Sequence, residues 1–140
     1  MRGIGIVTLR ILIVDDEKAV RSALGRLLAT REEWLVVGEA ADGVAAVGMA
    51  RDLQPDIVIM DITMPKMNGL EATPEIKKAL PTAEVLIFTQ HDSKQMVRQA
   101  QNVGASGYLL KSQANWLVAA VESMSQHKPF FEGKNLSQRA

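Results

Sequence analysis

A chain of 140 residues with 16 Lys+Arg against 16 Asp+Glu, 47% hydrophobic and 23% charged, is expected to fold as one soluble globular domain. That length buries roughly two-thirds of the surface of the unfolded chain, so no metal or disulfide staple is needed, and the absence of cysteine excludes disulfide scaffolds, thiolate zinc sites and cysteine nucleophiles. Zero formal net charge gives no global field toward nucleic acid or an anionic membrane, and no run of about 18 apolar residues exists to span a bilayer.

Met1 to Thr8 hold one arginine and a short apolar run without a small-residue cleavage site, so residues 1–8 read as an N-terminal extension and not a signal peptide. Together with the missing thiols, this sets the cytoplasm as the expected compartment. Leu9 to Val14 form the first apolar, β-branched run and the first predicted strand, followed by Asp15-Asp16-Glu17. Val20, Ala23, Leu24, Leu27 and Leu28 step by three and four and share one face of a first helix. Trp34 to Val37 predict a second strand, and Val44, Val47 and Met49 a second helix.

Pro55 precedes a third strand, Ile57 to Met60. The third helix, within Asn68 to Leu80, contains Pro74, which removes a backbone donor. Two readings are open: the helix starts near Gly69 and kinks, or Thr73 caps it and Pro74 takes its first position. Pro81 precedes the fourth strand, Val85 to Phe88, and Met96, Val97, Ala100 and Val103 mark a fourth helix closed by Gly104. Gly107 to Leu110 are the fifth strand, and Trp116, Leu117, Ala120, Val121 and Met124 the fifth helix.

Strands that alternate with helices and are continuously apolar imply a parallel sheet covered on both faces by right-handed crossovers. The expected class is α/β: a five-stranded parallel sheet, order 2-1-3-4-5, flavodoxin-like, with helices on both faces. In such a sheet the crevice opens at the carboxyl ends of the first and third strands, where strand order reverses. The first strand runs out into Asp15-Asp16-Glu17, the third ends at Asp61, the fourth at Thr89 and the fifth at Lys111.

Acids before a helix also serve as caps and dipole partners, which would explain Asp15 to Glu17 without any ligand. That explanation fails for Asp61, which follows a buried strand and faces the same crevice, because clustered carboxylates repel unless a cation neutralises them. With only oxygen ligands on offer, a hard cation such as Mg²⁺ fits. Lys111 can hold an anion bound beside that metal, and the Thr89 hydroxyl can donate to it. The chemistry such a site supports is phosphoryl transfer onto a carboxylate, with Asp61 the best-placed nucleophile and Asp15 and Asp16 better placed as metal ligands.

At these residues the chain resembles the receiver domain of bacterial two-component response regulators. The segments that carry the resemblance are Ile11 to Glu17, Asp61 to Ala72, Thr89 and Gly104 to Lys111, and the similarity covers about Leu9 to Met124. The Met64-Pro65-Lys66-Met67-Asn68-Gly69-Leu70-Glu71-Ala72 stretch is most similar to the LuxR or NarL subfamily, whose receivers precede a helix-turn-helix domain. The resemblance implies that Asp61 accepts a phosphoryl group from a sensor histidine kinase. It further implies Mg²⁺ held by Asp16, Asp61 and the backbone carbonyl of Thr63, with Asp15 assisting through water. Lys111 and Thr89 would bind the phosphoryl group, and Tyr108 would turn inward, remodelling the face of the fourth helix, fifth strand and fifth helix by a population shift. That face would control dimerisation or an output, expected to be transcription. Nucleic acid would be met only through an output domain outside this chain, and no membrane is expected as partner.

Two positions depart from the family pattern: Ser112 stands where a proline usually follows the lysine, and Gln90 where a small residue follows the threonine. Thr63 and His91 fall where the family varies residues that tune phosphoryl lifetime. His91 is expected at the rim and Trp116 as a core or interface anchor. The receiver is expected over 9–127 and a linker-like tail over 128–140, mobile after Phe131; the chain then ends before any DNA-binding domain, as an excised receiver or a single-domain regulator would.

The chain is expected not to be an enzyme beyond slow loss of its own phosphate. Two alternatives stand beside this reading. A degenerate receiver would act by constitutive protein–protein contact, through the effects of Gln90 and Ser112. A phosphatase of the haloacid dehalogenase type also uses an aspartate nucleophile, Mg²⁺, Thr and Lys, but places a second acid where this chain has Thr63. A flavodoxin would need Ser, Thr and Gly after the first strand instead of three acids.

Overall fold

A computed structural model describes residues 6–131. The chain alternates β1 (Leu9–Val14), α1 (Lys18–Leu28), β2 (Trp34–Ala40), α2 (Gly43–Leu53), β3 (Ile57–Met60), α3 (Gly69–Ala79), β4 (Glu84–Thr89), α4 (Lys94–Asn102), β5 (Gly107–Leu110) and α5 (Leu117–Ser125), with a 3₁₀ segment over Lys111–Trp116. All strand pairings are parallel and the order is β2-β1-β3-β4-β5, so the expected topology is borne out. The first five residues of the expected N-terminal extension, and the tail expected to be mobile after Phe131, lie outside the described residues.

Side chains alternate between the sheet's two faces, and each face meets its own helices. Ile11, Ile13, Ile57, Ile59, Leu86, Phe88 and Leu109 pack with Leu24 and Leu28 of α1 and with Leu117, Val121 and Met124 of α5. On the opposite face Leu12, Val14, Val58, Met60, Val85, Ile87 and Tyr108 meet Ala46, Val47 and Ala50 of α2, Ala72 and Ile76 of α3, and Val97 and Ala100 of α4. Because both faces are covered, all four residues of β3 are buried, which is why the central strands read as unbroken apolar runs.

Edges blur the sequence signal. β2 continues past Val37 to Ala40, and the register with β1 shifts between Ile11 and Leu12, so that Ile11 faces Val36 and Leu12 faces Gly38. An edge strand has polar exposure along its length, and Gly38-Glu39 therefore did not read as strand. β4 likewise gains Glu84 and Thr89 at its ends.

The third helix begins at Gly69 and carries Pro74 inside it, so the first of the two readings is the one that forms. The Asn68 side chain accepts from Glu71 N at 2.8 Å, and Asn68 N donates to Glu71 Oε1 at 3.0 Å. This reciprocal capping box starts the helix before Thr73 can. Thr73 is buried in the helix and donates its hydroxyl to Gly69 O at 2.7 Å. The Asn-x-x-Glu spacing was the available sequence signal for this start.

Gly69 also sets how closely α3 approaches the sheet. Its N–H donates to Ile62 O at 2.8 Å, and a Cβ there would collide with the Asp61 carbonyl oxygen and lie 3.1 Å from Ile62 Cα. Gly69→Ala is therefore expected to destabilise the domain by about 1–3 kcal/mol, the usual cost of overpacking. Urea unfolding should show a lower midpoint at unchanged slope.

Candidate functional site

The sheet's hydrogen bonding extends one residue beyond β1 and β3. Asp15 N donates to Ala40 O at 3.0 Å, and Asp61 N donates to Val14 O at 3.1 Å. These bonds hold the two acids side by side at the carboxyl edge, where the topology predicts the crevice. Asp15 is 1% exposed and Asp61 7% exposed, so both carboxylates are largely removed from water.

Lys111, at the end of β5, joins them. Its Nζ donates to Asp15 Oδ2 at 2.8 Å and to Asp61 Oδ2 at 2.9 Å. The other Asp61 oxygen accepts from Ile62 N at 2.7 Å, and the other Asp15 oxygen accepts from Glu17 N at 2.9 Å. Asp15 thus folds its own loop, and Glu17, at the N-cap of α1, makes no side-chain cap bond. The replacement of the usual proline by Ser112 leaves Lys111 aimed at both acids.

Carboxylate oxygens of Asp15, Asp16 and Asp61 all lie within 4.8 Å of one another. Three acids against one lysine leave two negative charges uncompensated in a small volume. The donor set is oxygen only, and Asp16 is exposed to an approaching ion, so the group suits a hard divalent cation. Asp16, Glu17, Asp61, Thr63, Gln90 and Lys111 line a cleft of about 210 Å³ that opens to solvent.

The loop after β4 closes one side. Thr89 is buried, and its Oγ1 accepts from His91 N at 3.3 Å. His91 Nε2 is 2.9 Å from Thr63 Oγ1, so His91 is tied to the Asp61 loop. Gln90 is exposed and lines the cleft mouth. Tyr108 is fully buried, and its hydroxyl donates to His91 O at 2.7 Å. Trp116 is 39% exposed and its ring lies 6.3 Å from that of Phe130.

Arg21 is a support that sequence reasoning missed. Its Nη1 donates to Asp15 O at 2.7 Å while Nε pairs with Glu39 at 2.9 Å, tying the acidic loop to α1 and β2. No spacing in the sequence signals a side-chain bond to a backbone carbonyl across elements.

Burial works against the charge on Lys111, but its bonds to Asp15 and Asp61 and their charges outweigh burial and hold its pKa above the usual lysine value. Burial, then the nearby charges of Asp92 and Asp61, push the Tyr108 phenol up to about 12.

An acid cluster with a facing lysine thus lies at the switch point of a doubly wound parallel sheet. Residues 11–122 match the family model of the response regulator receiver domain, and the chain belongs to that family. Transcriptional regulatory protein DegU of Brevibacillus brevis is 38% identical over 127 residues, covering 90% of this chain and 54% of that protein. Response regulator protein VraR of Staphylococcus aureus is also 38% identical over 127 residues, covering 90% of this chain and 61% of its own length. The chain thus spans little more than half of these curated relatives. The crystal structure of a LuxR-family two-component response regulator from Aurantimonas sp. SI85-9A1 superposes with a TM-score of 0.88 at 38% identity, covering 93% of each chain.

The chain is therefore a receiver domain of the LuxR/NarL type, a signalling module. Neither the constitutive nor the phosphatase alternative is favoured by these relatives. Receiver domains bind Mg²⁺ at a cluster of aspartates, and response regulators are phosphorylated by sensor kinases. Among the described residues no helix is long and apolar enough to cross a membrane.

Tyr108 is the single tyrosine of the chain, so its ionisation can be read alone. Folding favours the neutral phenol, so this stabilisation is complete below the ordinary value of 10.0 and is lost as pH rises from there to about 12. Spectrophotometric titration should place tyrosinate formation near 12 in the folded protein, and lower in Asp61→Asn, which removes one of the opposing charges. Lys111→Met leaves two buried carboxylates facing each other and should cost about 3 kcal/mol by denaturant unfolding, part of which Asp15→Asn added to it recovers.

Proposed function

We propose that Asp61 is the phosphoacceptor of this receiver and that a sensor histidine kinase is the donor. The observation that carries the proposal is the placement of Asp61: a largely buried carboxylate at the end of the central strand, 2.9 Å from Lys111 Nζ and open to a cleft lined by Asp16 and Thr63. One Asp61 oxygen attacks the phosphorus of a phosphohistidine. The new P–O bond forms as the P–N bond breaks, and the imidazole nitrogen leaves with its electron pair and is protonated.

Lys111 moves from the free carboxylates to the transferred phosphoryl oxygens, where its charge is worth most. Thr89, at the end of β4, donates its hydroxyl to the same group. Asp15, Asp16, Asp61 and the Thr63 backbone carbonyl would hold Mg²⁺, which when bound neutralises charge on the phosphoryl oxygens. Tyr108, bonded to the His91 carbonyl, carries the change to the face formed by α4, β5 and α5, as a bias on an existing equilibrium.

The domain is then a switch and not a turnover enzyme, losing its phosphate slowly. The names of its relatives support an output in transcription. That output would act through a DNA-binding domain outside this chain, with the switching face available for homodimerisation, in the cytoplasm and without membrane contact.

Incubation with a small phosphodonor and Mg²⁺ should add one phosphoryl group, localised by peptide mass spectrometry to Asp61. Asp61→Asn and omission of Mg²⁺ should each abolish it. An unmodified Asp61 peptide in the complete reaction refutes the proposal, and sustained phosphate release from added phosphomonoesters would support an enzyme instead.

A further inference from the structure

Glu39 reaches the α1 side of the sheet through an irregularity of the edge strand. Trp34 and Val36 pair with Leu9 and Ile11 and pack on the α1 and α5 face. Strict alternation from there would send Gly38 and Ala40 to that face and Glu39 to the other. The register shift between Ile11 and Leu12 reverses this: Gly38 pairs with Leu12, Glu39 with Ile13 and Ala40 with Val14. Ala40 then enters the core beneath α2 and α3, and Glu39 shares the α1 face with Ile13. Re-aiming a side chain is a common use of such irregularities.

The side chain that Glu39 meets on that face is Arg21. Arg21 Nε pairs with Glu39 Oε1 at 2.9 Å, and its Nη1 donates to Asp15 O at 2.7 Å. The guanidinium is a rigid fork, so fixing one arm on Glu39 aims the other. With Glu39 half exposed, the pair itself contributes little to overall stability. The carbonyl that Arg21 holds belongs to the peptide linking Asp15 to Asp16. That unit is planar, so pinning its oxygen fixes the plane from which Asp16 departs. Asp15 is also held at its N, Oδ1 and Oδ2, by Ala40 O, Glu17 N and Lys111 Nζ. Asp16 is exposed and takes its aim from the backbone.

We infer that Arg21, oriented by Glu39, is a positioning residue for the divalent cation, holding the Asp15–Asp16 peptide so that the three carboxylates converge at the spacing of a Mg²⁺-sized ion. The inference rests on the reading of Asp15, Asp16 and Asp61 as cation ligands and adds what sets their geometry. Mg²⁺ demands near-ideal placement of its oxygens, whereas the larger Ca²⁺ tolerates a flexible site. A loosened loop therefore loses Mg²⁺ more than Ca²⁺. Charge alone gives the opposite sign, because removing a cation beside the acids strengthens the binding of any metal ion.

The probes are MgCl₂ and CaCl₂, each titrated alone into the full chain and followed by NMR at the amides of Asp16 and Asp61. Arg21→Ala should weaken Mg²⁺ binding about tenfold, the lower end of the usual loss when a group orienting a metal ligand is removed, and Ca²⁺ binding by less. Arg21→Lys keeps the charge but not the fork, and should lose part of the Mg²⁺ affinity where charge alone gives no change. Glu39→Ala should weaken Mg²⁺ binding on its own and add almost nothing in Arg21→Ala, because both act through one contact. Urea unfolding confirms that each variant is titrated in its folded state, and Arg21→Lys and Glu39→Ala decide the matter if Arg21→Ala does not fold.

Unchanged or tighter Mg²⁺ binding by Arg21→Ala, or equal losses for Mg²⁺ and Ca²⁺, overturns the inference and leaves the cation reading intact. Full Mg²⁺ affinity in Arg21→Lys, with the loss in Glu39→Ala persisting in the double variant, also overturns it in favour of charge alone. Wild-type signals that do not move with Mg²⁺ overturn the cation reading, and the inference falls with it.

Discussion

Repulsion between carboxylates at the edge of the sheet is the constraint on which the rest of this structure depends. Parallel pairing of β1 with β3 brings Asp15 and Asp61 together out of water, where like charges interact strongly. Lys111 compensates by bridging them from β5, two strands away from β3. The bridge works only if all three strand ends stay level, so the charge arrangement and the strand order require one another. Residual negative charge on the cluster then makes the crevice receptive to a cation and, with the cation present, to an anion.

Supporting contacts are concentrated where this arrangement would otherwise relax. Arg21 pins the carbonyl of Asp15, Gly69 lets α3 press against the carbonyl of Asp61, and the Asn68–Glu71 capping box sets where that helix begins. Each acts on backbone, leaving the carboxylates free for chemistry. On the α4 side of the sheet, Tyr108 meets both the loop after β4 through its side chain and the C-terminal segment through its main chain. A residue gripped at both ends transmits displacement instead of absorbing it.

The segment that began as a linker in the sequence shows how much a fold can conceal. His127-Lys128-Pro129-Phe130-Phe131 lacks the length and β-branching of a strand. Its pairing is made by the edge of β5, and Phe130 is buried and Phe131 partly buried because the sheet offers a face to each. Neither condition exists locally in the chain.

Much of the rest was local and therefore legible. Continuous apolar runs marked the central strands because burial on both faces leaves no polar position, and helical spacing marked α1, α4 and α5 because one face of each meets the sheet. Knowing the strand order was enough to gather Asp15, Asp16, Asp61, Thr89 and Lys111 at one edge, since in a parallel sheet every strand end lies on the same side. The edge strand β2, the start of α3 and the ties made by Arg21, His91 and Phe130 were decided only in three dimensions. Their partners are distant in sequence or belong to the backbone, and neither leaves a pattern that hydrophobic periodicity can record.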